Sequence, residues 1–427
     1  LKKHYFSQLD ETIFFHTLDN GLKVYMLPKQ SNKTFATFTT QYGSIDNTFK
    51  PLNQEKVVTV PDGIAHFLEH KMFEKPDGTD VFHDFGEQGA SANAFTSFNR
   101  TAYLFSSTSN VDKNLNTLID FVQTPAWTDE SVEKEKGIIG QEIRMYDDNP
   151  DWRLFFGLIE NMYHHHPIKI DIAGTVESIS HITKDLLLDC YHTFYHPSNM
   201  ILFVTGPIDP EHIIHLIEEN QKKKDYSNKK AIEHVFPDEP RQVAKSESIL
   251  HMAVQTPKCL IGFKEPKPYR SGKELMKHEI AVNLLLELMF GRGTEQYKTL
   301  IDEGLIDESF SFEYTEEYGF GFSAIGGNTE QPKQLKQRLK EMVINFKNGT
   351  IDTKSFDNAR RKRMGSILRS LNSLDYIANQ FTRYKFNQMD LFELIPELEK
   401  LTTDDLKQTL HEHFSEEGFT SCTILKK

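Results

Sequence analysis

His66-Phe67-Leu68-Glu69-His70 dictates a local conformation before anything else is known about this chain. Residues four apart stack on one face of an α-helix, so a helix brings both imidazoles to one point. Ile64, Ala65, Phe67, Leu68 and Met72 are apolar and bury that helix in a core. Two histidines and a glutamate in so apolar a segment are costly unless they are satisfied together, and a metal ion satisfies them. Neutral imidazole suits zinc, and a carboxylate beside it, here Glu69, takes a proton from water acidified by the metal. The competing reading is a helix of satisfied core histidines, because a chain with 18 His yields such five-residue matches by chance. Pro61-Asp62-Gly63 is a turn that delivers the helix, with Asp62 or Gly63 as its N-cap.

A catalytic zinc takes three protein ligands and leaves one position for water, so a third ligand must come from another element. Residues 133–143 have a helical pattern, with apolar positions at Ile138, Ile139 and Ile143. Glu135 and Glu142 stand two turns apart on one face close to the apolar one. Periodicity alone reads either of them equally well as an acid on a solvated helix.

H-x-x-E-H followed seventy-odd residues later by E-x6-E resembles the pitrilysin, insulinase and mitochondrial processing peptidase family of inverted zinc metallopeptidases; here Glu142 follows His70 by 72 residues. The resemblance implies that His66, His70 and Glu142 bind Zn2+, that Glu69 activates water, and that Glu135 is a supporting acid. Asn93-Ala94-Phe95-Thr96-Ser97 looks like the family's edge strand, which pairs with an extended substrate; Asn93 and Ala94 would be the substrate-binding positions. Gly174-Thr175-Val176-Glu177-Ser178-Ile179 and Tyr195-His196-Pro197-Ser198-Asn199-Met200 are also family-like. Within the family the chain most resembles the bacterial processing-protease-like branch, whose chains are about this long.

A chain of 427 residues with net charge −13 is long enough for two or three domains and ill suited to general nucleic-acid binding. Cys190, Cys259 and Cys422 form neither a disulfide framework nor a thiolate cluster, which points to a reducing compartment. No apolar run reaches the roughly 18 residues of a membrane span, and the N-terminus lacks the apolar core of a signal peptide. The expectation is a cytoplasmic protein with no membrane or nucleic-acid partner.

Two halves show a similar order of elements. In the first, strands at 12–18, 23–27 and 34–43 precede the motif helix, and strands at 90–97 and 101–108 follow it. Helices near 110–124, 129–147, 151–163, 183–195 and 210–222 flank a strand at 200–205. The second half repeats strand, strand, helix (271–290), strand, strand, four helices and a last strand at 420–425. This order predicts an α+β fold, each half a mainly antiparallel sheet with helices on one face, and the resemblance implies that the two halves are homologous units. The resemblance adds their arrangement as a clamshell. The expected division is a zinc-bearing domain over 1–225, a linker over 226–241 and a metal-free domain over 242–427. In the second half, His278 and Glu279 stand without another His four residues away.

Active relatives often carry an Arg and a Tyr around a Gly-Leu pair in the second half. Aligning on Gly304-Leu305 puts Leu300 and Asp307 there, and neither supplies a cation or phenol to an oxyanion; Arg292 and Tyr297 lie nearby. The expected activity is hydrolysis of peptide bonds in short or unfolded peptides added as an edge strand. The chain is expected to pair with a related subunit lacking the zinc motif, or with its own copy. The alternative is a non-catalytic peptide-binding or assembly subunit. His164-His165-His166 looks like loop rather than ligand, and His83 is either close to the metal or simply exposed.

Overall fold

Period-2 runs become strands wherever one face can be covered, and the computed structural model shows how they pair. It describes residues 1–51, 54–75, 77–226 and 232–427. Seven strands form one sheet, in the spatial order Lys2–Phe6, Glu11–Thr17, Lys23–Pro28, Met200–Gly206, Thr34–Thr40, Thr101–Ser107 and Ala90–Thr96. The pairing of Lys23–Pro28 with Met200–Gly206 is parallel, and the other pairings are antiparallel. Thr34–Thr40 and Met200–Gly206 are buried along their whole length, as central strands covered on both faces are.

Five strands form a second sheet, in the order Glu247–Met252, Phe419–Lys426, Lys258–Lys264, Phe320–Asn328 and Ser311–Glu317. Its one parallel pair is Glu247–Met252 with Phe419–Lys426. The last five strands of the first sheet run in the same order and the same relative directions as these five. The expected α+β duplication is therefore visible as two sheets of like topology.

Two compact units result: residues 1–143, 170–236 and 371–383 form one, and 144–169, 237–370 and 384–427 the other. They differ from consecutive halves in two helical segments. Phe381, on the helix Leu374–Phe386, packs against Tyr25 and Phe203 with ring centroids 5.0 and 4.8 Å apart. On the helix Pro150–Met162, Asn161 donates to Ser421 O at 3.0 Å and to Ser248 Oγ at 2.8 Å. Each segment thus covers the parallel strand pair of its own unit. Of the expected linker 226–241, residues 227–231 lie outside the described residues, while Glu233–His234 pairs with the short strand Thr48–Lys50. Helices at Val81–Glu87 and Glu295–Asp302, absent from the sequence reading, are capped by Asp80 and Thr294. Among the described residues, no helix is long and apolar enough to cross a membrane. The three cysteines are free and buried.

Candidate active site

The motif lies on the helix Ile64–Met72, held at both ends. Gly63 is the N-cap with φ of 88°, and a Cβ there would come within 2.3 Å of Ala173 O, so only glycine fits. Asp62 serves the same junction through its carbonyl, which accepts from Ser178 Oγ at 2.8 Å. Ser178 also closes a capping box with Thr175, so the stretch Gly174 to Ser178 clamps the entry to the motif helix. At the other end Trp127 Nε1 donates to Lys71 O at 2.8 Å. The buried Lys71 ammonium pairs with Glu74 and reaches Ser131 Oγ at 3.1 Å. Because Ser131 opens the helix Asp129–Asp147, these bonds tie the two helices together.

That second helix carries Glu135 and Glu142 to the imidazoles. His70 Nδ1 donates to Glu135 Oε1 at 3.1 Å. A carboxylate only accepts, so Nδ1 holds the proton and His70 Nε2 turns its lone pair toward Glu142 Oε2, 3.4 Å away. His66 Nε2 stands 3.8 Å from Glu142 Oε1. The ligand atoms of His66, His70 and Glu142 lie within 4.8 Å of one another. Burial lowers His66 to about 4 and His70 adds to the effect, so its ring is neutral, the form that binds metal. Among the described residues, His66 Nδ1 is buried without a hydrogen-bond partner. Burial also opposes charge on His70, but Glu135, Glu69 and Glu142 outweigh it and raise its pKa. Two imidazole nitrogens and one carboxylate, with no ammonium or guanidinium among them, form a donor set that fits a divalent cation.

Glu69 is 8% exposed. Burial raises its pKa, and Thr96 opposes this by donating from Oγ1 to Oε2 at 2.7 Å. Thr96 ends the strand Ala90–Thr96, which is the outer strand of its sheet and pairs with Thr101–Ser107. Asn93 is exposed on this strand, and its Oδ1 accepts from the backbone N–H of Ala94 at 2.9 Å.

The remaining candidates lie elsewhere. His83 is exposed and pairs with Glu87 at 3.2 Å. The backbone N–H groups of His164, His165 and His166 all donate to Glu239, at 2.7 to 2.8 Å, which makes this run an anion-capped loop. Leu300 is fully buried, and Asp307 caps Ser309 N at 2.8 Å. Arg292 is exposed, and Tyr297 packs near Phe310 with centroids 6.0 Å apart.

A cluster missed by sequence reasoning joins His278 to residues far from it in the chain. Glu265 Oε2 accepts from His278 Nε2 at 3.0 Å, His413 Nδ1 at 2.9 Å and Tyr314 OH at 3.1 Å. Arg270 occupies Oε1 at 2.9 Å. The three ligand-type atoms of Glu265, His278 and His413 are close enough for an ion. The carboxylate is already saturated by donors and paired with a guanidinium, so the cluster is a hydrogen-bonded network. No local spacing signals it, since Glu265 and His413 are 148 residues apart.

Residues 60–176 match the family described as "Insulinase (Peptidase family M16)", and residues 181–363 match the "Peptidase M16 inactive domain". The "Uncharacterized zinc protease YmfH" of Bacillus subtilis is 57% identical over 99% of this chain and 98% of its own. The "Zinc protease PqqE" of Helicobacter pylori is 24% identical over 95% of this chain and 91% of its own. The crystal structure of an M16-like peptidase from Alicyclobacillus acidocaldarius superposes with a TM-score of 0.94 and 42% identity, covering 98% of this chain and 99% of that one. The chain belongs to peptidase family M16, the insulinase family.

Proposed function

We propose that this chain is a zinc metalloendopeptidase that cleaves short or unfolded peptides bound as an added edge strand. One observation carries the reading: His66 Nε2, His70 Nε2 and Glu142 converge as three acceptors with Glu69 on the same helical turn. In this reading His66, His70 and Glu142 hold the zinc, and Glu135 orients His70 through Nδ1. When bound, zinc supplies Lewis acidity toward a carbonyl and acidifies a water molecule. Glu69 accepts the proton of the attacking water and later delivers it to the leaving amine. A peptide adds beside Asn93 and Ala94 by main-chain hydrogen bonds, and the Asn93 side chain must first release the Ala94 N–H. The metal chemistry is assigned to residues 1–225, and residues 242–427 are assigned no metal. The free, buried cysteines suit a reducing compartment, so the assignment is cytoplasmic.

The buried Leu300 and the capping role of Asp307 favour an incomplete oxyanion site. On this reading the chain is the zinc-bearing subunit of a pair, and a related subunit without H-x-x-E-H supplies the missing Arg and Tyr. A non-catalytic peptide-binding subunit draws on the same observation. Cleavage of a quenched peptide, measured with zinc content and with and without a candidate partner, separates the readings. Glu69→Gln should lower turnover by about 10²–10⁴-fold with zinc retained. Unchanged turnover in Glu69→Gln sinks the base assignment. A wild-type chain that binds zinc and peptide but cleaves under neither condition favours the non-catalytic subunit.

A further inference from the structure

We propose that Thr96 is a positioning residue for Glu69, so that the strand receiving the peptide also aims the base; the inference rests on Glu69 being that base. Thr96 Oγ1 lies 2.7 Å from Glu69 Oε2, and among the described residues no other side chain hydrogen-bonds Glu69. A hydroxyl has one proton to give. The neighbouring Thr101 Oγ1 gives its own to Tyr42 O at 2.9 Å and stands 3.4 Å from Thr96 Oγ1. The Thr96 proton therefore goes to the carboxylate, in a charge-assisted bond of the short, strong kind.

Two features make the bond an aiming device. Threonine is β-branched and stiff at χ1, so its hydroxyl direction follows the strand backbone. That backbone is paired along its length with Thr101–Ser107. Ala94 and Thr96 alternate onto the same face of the strand. A peptide registered beside Ala94 and a carboxylate held by Thr96 then share one rigid reference, which sets the distance between scissile bond and base. Valine at 96 keeps the branched shape and removes only the bond.

The test compares Thr96→Val and Thr96→Ser in the zinc-loaded protein, with its partner if one is needed. Thr96→Val should lower kcat roughly ten- to a hundredfold, with KM and zinc content unchanged and the fold retained. Thr96→Ser should restore most of the rate. In crystals of the metal-free variants, the Glu69 carboxylate should leave its wild-type position in Thr96→Val and keep it in Thr96→Ser. The proposal is overturned if Thr96→Val keeps its kcat with Glu69 unmoved, if Thr96→Ser is as slow as Thr96→Val, or if Thr96→Val loses zinc or its fold. Glu69→Gln in the same assay separates the two claims. If it still turns over, the base assignment fails and this inference with it. If it is inert while Thr96→Val runs at full rate, only the role of Thr96 fails.

Discussion

At His70 a single ring faces two carboxylates with different tasks. Glu135 takes the Nδ1 proton at 3.1 Å, and Glu142 faces Nε2 at 3.4 Å. Without a cation a second proton on His70 can take its place, which is why the surrounding acids raise its pKa against the effect of burial. Glu135→Gln keeps an acceptor oxygen but removes the charge that makes the ring a strong ligand. Zinc affinity should fall by about 10–100-fold, read by competition with a chromophoric chelator; unchanged affinity would show that Glu135 does not tune the ligand. The seven-residue spacing of Glu135 and Glu142 is legible in the sequence, because it depends only on helical geometry. Which acid meets which nitrogen is not legible. It depends on how the two helices cross, and Trp127, Lys71 and Ser131 fix that crossing through bonds between segments about 60 residues apart.

At the scale of elements, the network around Glu265 joins a strand end, two helices and, through Tyr314 and Glu316, the strand Ser311–Glu317 of the second sheet. Burial alone would raise the Glu265 pKa, but His278, His413 and Arg270 hold it well below the usual carboxylate range. Glu316 behaves oppositely: burial and the charge of Glu265 push it up to about 8. Glu265→Gln leaves buried donors and Arg270 without their anion and should cost about 3–5 kcal/mol, measured by urea denaturation. Glu316→Gln should be mild at about pH 4, where both folded and unfolded wild-type chains carry most of the proton. Between about pH 4 and pH 8 the unfolded wild-type chain loses that proton while the folded one keeps it, so the native state is progressively penalised. Gln has no such term, so Glu316→Gln should gain on wild type across this window; a pH-independent difference would contradict the assignment. The strands and helices that carry this network were readable from their periods. The network was not, because Glu316 and His413 come from elements that only tertiary packing brings together.

At the scale of the molecule, His66, His70 and Glu142, the proposed metal ligands, all lie in the unit containing residues 1–143, and the Glu265 network in the other. A ligand bound only by the native state stabilises it by mass action, by about 2.7 kcal/mol at a hundredfold excess over Kd. Chelation should therefore lower the calorimetric transition of the wild-type protein, and His66→Ala should abolish the zinc-dependent shift. A shift of full size in His66→Ala would place the stabilising ion elsewhere. The sequence by itself determined what is local: a helix that stacks His66 on His70, a second helix with its acids two turns apart, and strands whose alternation sets their faces. The tertiary structure alone decided that the segments 144–169 and 371–383 complete the units they do, that Gly63 must meet Ala173, and that Glu265 gathers His278 and His413. The reason is physical: helix and strand periods follow from the backbone geometry of neighbouring residues. Which exposed strand pair a distant helix covers, and which buried charge a distant histidine neutralises, depends on the surfaces left open once the sheets have paired.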